Sequence, residues 1–254
     1  QLSKGVKHLL SKHKIMVIEG AGSLQTKNKI KVVSKEQTRE ISANNIILAV
    51  GARARELEGL ESDGDLIWNY KHALRPKRMP KKMLIVGSGA IGVEFAYFYN
   101  AMGSDVTVVE YMPRIVPVED EEISKQLERS FKKSGIKIMT STELTSVDTT
   151  GKGIKANVKT KKGEETIEAD VVLSAVGIKT NIENIGLEEV GIVTDRDKIL
   201  VNDFYQTNMP GYYAIGDVTA GPALAHVASA EGILCVEKIA GQHVEALDYG
   251  NIPG

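Results

Sequence analysis

A chain of 254 residues can hold one large domain or two ordinary ones. Hydrophobic residues at 42% and charged residues at 26% are globular values. A net charge of −1, with acids and bases interspersed, leaves no electrostatic footprint for nucleic acid. No apolar run approaches the roughly 20 residues that span a bilayer, and the polar start QLSKGVKHLLSKHK has no signal-peptide core. Cys235 is the single cysteine, which excludes an intrachain disulfide and a cysteine zinc cluster. It suits a reducing compartment, and the expected location is the cytoplasm.

Residues 2–12 (LSKGVKHLLSK) have helical patterning, and KIMV follows at 14–17. Polar, alternating strands come next, closing on Ala43-Asn44-Asn45-Ile46-Ile47-Leu48-Ala49-Val50-Gly51. RPKRMPKK, a basic and proline-punctuated stretch, then marks a domain boundary near residue 75.

Residues 83–110 read MLIVGSGAIGVEFAYFYNAMGSDVTVVE. The apolar run Met83 to Val86 predicts a strand, and Gly87-Ser88-Gly89-Ala90-Ile91-Gly92 predicts a turn into a helix. Ile91, Phe95, Phe98, Tyr99 and Met102 form the helical stripe, and Gly103 ends it. The β-branched run from Val106 to Val109 stops at Glu110. A G-x-G-x-x-G placed between strand and helix, with an acid eighteen residues beyond, predicts a dinucleotide site. Gly87 serves the tight turn, Gly89 lets backbone approach a pyrophosphate, and Gly92 permits close helix packing. The helix N-terminus near Ala90 offers N–H groups and a positive dipole end to phosphates. Glu110 can take both hydroxyls of an adenine ribose and would repel a 2′-phosphate. That favours NAD over NADP, although Arg114 lies close in sequence.

Residues 119–134 predict an amphipathic helix with Ile123, Leu127 and Phe131 on one face. Acids sit in its first turn and lysines in its last, matching the macrodipole. A strand at 136–139 follows, then alternating segments around Val147, Ile154 to Val158 and Thr166 to Ile167. The unit closes on ADVVLSAVG at 169–177. This order repeats that of the first fifty residues: ISKQLERSFKK echoes LSKGVKHLLSK, KIMT echoes KIMV, and both copies end in AVG. Two copies predict two related nucleotide-binding domains. From Leu200 to Gly216 the chain is again strand-like, ending at Asp217, and a helix is expected from Leu224 to Ala240. The predicted architecture is α/β, with two Rossmann-like, three-layer domains. Residues 76–199 form one domain, inserted into a second made of 1–75 and 200–254. The second copy has its glycine turn upstream and the first has none, so the sequence is expected to be a fragment.

Together, IILAVGARAR, IVGSGAIGVEFA, VTVVEYMPRIVPVEDEE, SAVGIKTN and AIGDVTAGPALAHVASAEG resemble the flavin-dependent pyridine nucleotide–disulfide oxidoreductases, most closely their dihydrolipoamide dehydrogenase branch. They span nearly the whole chain in that family's order. The resemblance implies an NAD site formed by Gly87, Ser88, Gly89, Ala90, Ile91, Gly92, Val93 and Glu94, with Glu110 on the ribose and Val147 and Gly177 bordering the adenine. It implies an FAD site in which Val50, Gly51 and Ala52 lie along the cofactor with Gly22 near it. Asp217 would bond the ribityl–pyrophosphate region, and Ala223, Leu224, Ala225 and His226 would bring a helix N-terminus to the isoalloxazine. By the same resemblance the intact protein is a homodimer. It oxidises dihydrolipoamide carried by a 2-oxo acid dehydrogenase or glycine cleavage complex, through a disulfide and FAD, and reduces NAD. The family's first glycine turn, its cysteine pair, the lysine that partners Glu94 and its C-terminal interface domain have no match here. No catalytic residue is therefore assigned in this chain, FAD is expected to bind it weakly, and no metal is expected.

The rival readings are a relative that reduces glutathione, mercuric ion or a quinone, and a non-catalytic dinucleotide-binding module. His226 is read as a capping or core residue rather than a base, and Cys235 as a buried small hydrophobe. The remaining histidines, His8, His13, His72 and His243, lack metal-ligand spacing.

Overall fold

The computed structural model describes residues 2–26, 28–151 and 153–252. The chain runs α1 (Leu2–Lys12), β1 (Ala21–Gln25), β2 (Lys29–Val33), β3 (Thr38–Ser42), β4 (Ile46–Leu48), β5 (Ala52–Ala54), β6 (Ile67–Trp68) and α2 (Tyr70–Ala73). The central run is β7 (Lys82–Val86), α3 (Ala90–Ala101), β8 (Asp105–Val109), α4 (Glu121–Lys133) and β9 (Lys137–Met139). β10 (Glu143–Asp148), β11 (Ile154–Thr160), β12 (Gly163–Ala169), β13 (Val171–Ser174) and β14 (Ile178–Thr180) follow. The rest is α5 (Leu187–Val190), β15 (Thr194–Asp195), β16 (Lys198–Ile199), β17 (Tyr212–Ala214) and α6 (Ala225–Ile239), with short 3-10 turns at Gly216–Val218 and Tyr249–Asn251. Among the described residues no helix is long and apolar enough to cross a membrane.

Two compact units result: Arg53–Lys179, and the residues up to Ala52 together with those from Thr180 onward. These bounds differ from the sequence-based ones at 75 and 199. Residues 53–75 belong to the inner unit because β6 pairs in parallel with β13, and Trp68 enters the core beside Tyr99. Residues 180–199 belong to the outer unit because Leu187, Val190, Ile192 and Ile199 pack with Leu24, Ile46 and Leu48.

The inner unit is built on a parallel sheet in the order β6-β13-β7-β8-β9. Alternation sends Met83 and Ile85 to one face, against Ala96 and Tyr99 of α3 and Phe131 of α4. Leu84, Val86 and Val172 go to the other, against Ile154, Ala156 and Val158 of β11. β10, β11 and β12 make an antiparallel meander. Helices, sheet and meander are thus three layers, and a parallel sheet covered on both faces explains the unbroken apolar strands.

Two predicted helix faces shift. Phe98 and Met102 of the α3 stripe are 48% and 59% exposed, because small Gly92 and Ala96, with Tyr99, take the sheet side. Tyr99 is fully buried and donates its hydroxyl to the Ala73 carbonyl at 2.7 Å. On α4, Ile123 is exposed; Ser124 is buried instead and donates to the Ile115 carbonyl. Asp120 caps this helix through the N–H groups of Glu122 and Ile123.

The outer unit repeats the plan in reduced form. β1, β2 and β3 make an antiparallel meander, and β4 pairs in parallel with β17. The strand expected at 14–17 does not form: Ile15, Met16 and Val17 are exposed, whereas its counterpart β9 is held by β8. α1 forms as expected but buries none of its residues. The strand-like stretch from Leu200 to Gly216 yields only β17 and one bridge, Gln206 to Tyr213.

Candidate nucleotide-binding sites

In the inner unit the strand order reverses direction between β13 and β7. β8 and β9 follow β7 on one side, and β13 returns on the other. Open α/β sheets bind ligands outside the carboxyl ends of their strands at such a switch point. The glycine turn lies there. Gly87 has φ +98°, and a Cβ on it would stand 2.4 Å from the Ala175 carbonyl oxygen, so only glycine fits between β7 and the end of β13. Gly92 is as tightly held, since its Cβ would meet the Gly87 carbonyl at 2.1 Å. Gly89 differs: it is the N-cap of α3, no side chain caps it, and a Cβ there would meet nothing within 4 Å. Two glycines are thus required by the fold, and the middle one opens onto unfilled space above a bare helix N-terminus.

Glu110, at the end of β8, is 7% exposed. Its Oε2 accepts from the Ser88 N–H at 2.8 Å and the Ser88 hydroxyl at 2.6 Å, and its Oε1 accepts from the Met112 N–H at 2.8 Å. A carboxylate has about four acceptor positions. Glu110 therefore braces the glycine turn from below and retains capacity for one more donor. Arg114 turns to its own loop, donating to the carbonyls of Pro117 and Glu119 and lying 4.0 Å from Glu121.

Of the other predicted residues in this unit, Ala90 and Glu94 are exposed on α3, while Ile91 and Val93 lean on the core. Val147 is half-buried on β10 against the meander-side core, and Gly177 has φ +101° beyond β13.

In the outer unit, the parallel pairing of β4 with β17 carries both strands to one edge. There Val50, Gly51 and Ala52 follow β4, and Gly216 and Asp217 follow β17. Gly51 is left-handed at φ +66°, and Asn181 fixes the loop by donating to the Val50 and Gly51 carbonyls. Asp217 is half-buried, and its carbonyl accepts from the Lys198 ammonium at 2.6 Å. Ala223 and Leu224 lead into α6, which starts at Ala225 without a side-chain cap; His226 is exposed in its first turn, neither cap nor core. Gly22 lies apart from this group, exposed on β1 opposite Val32 in the separate meander.

Sequence reading missed Glu231, which is 2% exposed on α6. Its signal was an acid in an apolar stripe, one turn from Val227 and one from Cys235, both buried. Glu231 accepts from the Gly216 N–H at 2.5 Å and from the Tyr249 hydroxyl at 2.6 Å. Burial, with Glu231 beside it, holds the Tyr249 hydroxyl above the usual tyrosine range, so it stays a donor. Cys235 is fully buried, and burial pushes its thiol up, which makes it unreactive.

Residues 1–232 match the pyridine nucleotide-disulphide oxidoreductase family, and the chain belongs to that family. Among its curated relatives, the dihydrolipoyl dehydrogenase of Rhizobium etli is 45% identical over 272 residues, covering 100% of this chain and 56% of the relative. The dihydrolipoyl dehydrogenase of Zymomonas mobilis is 45% identical over 257 residues, covering 100% and 55%. The crystal structure of LpdA from Mycobacterium tuberculosis superimposes with a TM-score of 0.90 at 29% identity, over 97% of this chain and 55% of that one. The chain thus spans about half the length of the relatives it matches.

Proposed function

We propose that the intact protein is an NAD-dependent dihydrolipoyl dehydrogenase, and that this chain supplies its NAD site and part of its FAD site. The observation that carries the reading is the glycine turn at the β7–β13 switch point: Gly89 opens onto free space while Glu110 holds the turn by three hydrogen bonds. The relatives named dihydrolipoyl dehydrogenase support the choice of activity.

In this reading the N–H groups at the start of α3 bind the NAD pyrophosphate, with the positive helix end reinforcing them. Glu110 positions Ser88 and gives its remaining acceptor capacity to the adenine ribose. Its charge rejects a 2′-phosphate, and Arg114, engaged with Pro117 and Glu119, is not directed to relieve that repulsion. In the outer unit Gly51, Asp217 and the start of α6 contribute to the FAD cradle, while Gly22, on a separate sheet, is assigned at most a peripheral contact. Bound together, the two cofactors supply hydride transfer between flavin and nicotinamide. The disulfide that meets a dithiol substrate is not formed within this chain, since Cys235 is its single cysteine. We further assign the protein to the cytoplasm, as a homodimer serving a lipoyl-bearing 2-oxo acid dehydrogenase or glycine cleavage complex. The single cysteine of this chain suits that compartment.

The test uses protein produced from its complete reading frame. Dihydrolipoamide-dependent reduction of NAD, with no turnover of glutathione disulfide, mercuric ion or quinone, supports the reading. Turnover of one of those acceptors in place of dihydrolipoamide would move the protein to another branch of the family. NADH binding without any turnover would make it a binding module.

A further inference from the structure

The buried carboxylate of Glu231 takes no part in the sites assigned above, yet it holds the turn that presents Asp217. Gly216 lies in the left-handed region at φ +73°. Its N–H donates to Glu231 Oε2, and its carbonyl accepts from the N–H and hydroxyl of Thr219. The Asp217 carbonyl accepts from Lys198. The peptide groups on both sides of the Asp217 Cα are therefore fixed, one by Thr219 and one by Lys198, and Glu231 holds the peptide just before them.

The other carboxylate oxygen of Glu231 reaches the C-terminal 3-10 turn. Tyr249 spends its single proton on Glu231, so the 3.2 Å contact between the Tyr205 and Tyr249 hydroxyls has Tyr205 as donor. A chain of hydrogen bonds thus runs from Tyr205 through Tyr249 and Glu231 to Gly216, linking segments up to 44 positions apart. A buried carboxylate that lost one of its two donors would be free to turn toward the other side.

We propose that Glu231 is a positioning residue for Asp217, and that Tyr249 clamps Glu231 so that Asp217 meets FAD in a single orientation. The proposal rests on the reading that Asp217 contacts FAD. Glu231 touches no cofactor in this scheme and acts only through the Gly216 N–H. The C-terminal turn at Tyr249–Asn251 becomes part of the flavin site, although the turn itself contributes no ligand contact.

The experiment measures FAD affinity by flavin fluorescence at a temperature well below unfolding, in protein from the complete reading frame. NADH affinity and melting temperature are read in parallel. Tyr249→Phe should weaken FAD about tenfold while leaving NADH affinity unchanged. Glu231→Leu should weaken it further. Glu231→Gln, whose amide oxygen still accepts from Gly216, should recover most of that loss. If Tyr249→Phe and Glu231→Leu lower only the melting temperature, with FAD affinity intact, the positioning role is overturned and Asp217 keeps its assignment. If Asp217→Ala leaves FAD affinity unchanged, the underlying reading fails, and this proposal with it. Should Glu231→Leu not fold, Tyr249→Phe still decides, since it removes one hydroxyl and nothing else.

Discussion

Replacing Glu110 by alanine separates two roles that one carboxylate performs. The substitution strands the backbone N–H groups of Ser88 and Met112 and the Ser88 hydroxyl, all of which donate to Glu110. Ser88 is fully buried, so its N–H has little access to water. An unsatisfied buried donor costs about 1–3 kcal/mol. With water reaching the exposed Met112, the expected loss of stability is ~2–4 kcal/mol, most of it from Ser88. Urea unfolding should show a lower midpoint with an unchanged slope. Glu110→Gln keeps one acceptor oxygen for Ser88 and should lose roughly half as much. Binding behaves differently, because both variants remove the negative charge. Nicotinamide fluorescence titrations should show NADH favoured over NADPH in the parent protein, and that preference narrowing by about tenfold in both variants, equivalent to ~1.4 kcal/mol. A stable Glu110→Ala protein that still prefers NADH would refute the placement of Glu110 beneath the turn and beside the ribose together.

Gly87→Ala should cost about 3 kcal/mol or more in chemical denaturation, since it adds a Cβ against the Ala175 carbonyl at positive φ. Gly89→Ala should melt like the parent, because its Cβ meets nothing, yet lose NADH affinity; unchanged NADH binding would remove Gly89 from the site. Burial raises the Cys235 thiol and the Tyr205 and Tyr249 hydroxyls, so the folded form opposes their ionisation. Groups raised in this way stabilise fully below their unfolded values, and that contribution is lost above them. Thermal melts should therefore show the outer unit weakening from about pH 8.5 upward, where a free cysteine begins to ionise; a stability rising across that range would contradict the burial. In hydrogen exchange, amides of Leu84–Val86 should outlast those of Ile46–Leu48. β7 is flanked by β13 and β8, while β4 pairs with β17 alone among the described strands.

Local pattern carried a large part of this molecule. The apolar run at 83–86, the glycine spacing and the β-branched run at 106–109 are decided by sterics within a few residues, and β7, α3 and β8 appear where those features lie. The internal repeat was legible for the same reason, since two meanders and two parallel strands recur in the same order. Contacts between distant segments were not legible. Nothing near Trp68 announces that β6 pairs with β13 about a hundred residues later, which is what moved the unit boundary from 75 to 53. Composition could not choose between Phe98 and Ala96 for the face of α3, because the choice depends on how closely the sheet approaches. Glu110 was visible as an acid at a strand end, but its donors Ser88 and Met112 were fixed only once β8 lay beside the turn. Glu231 is the extreme case. An acid in an apolar helical stripe reads as a fault until tertiary structure brings Gly216 and Tyr249, 15 and 18 residues away, to its two oxygens and gives each buried oxygen a donor.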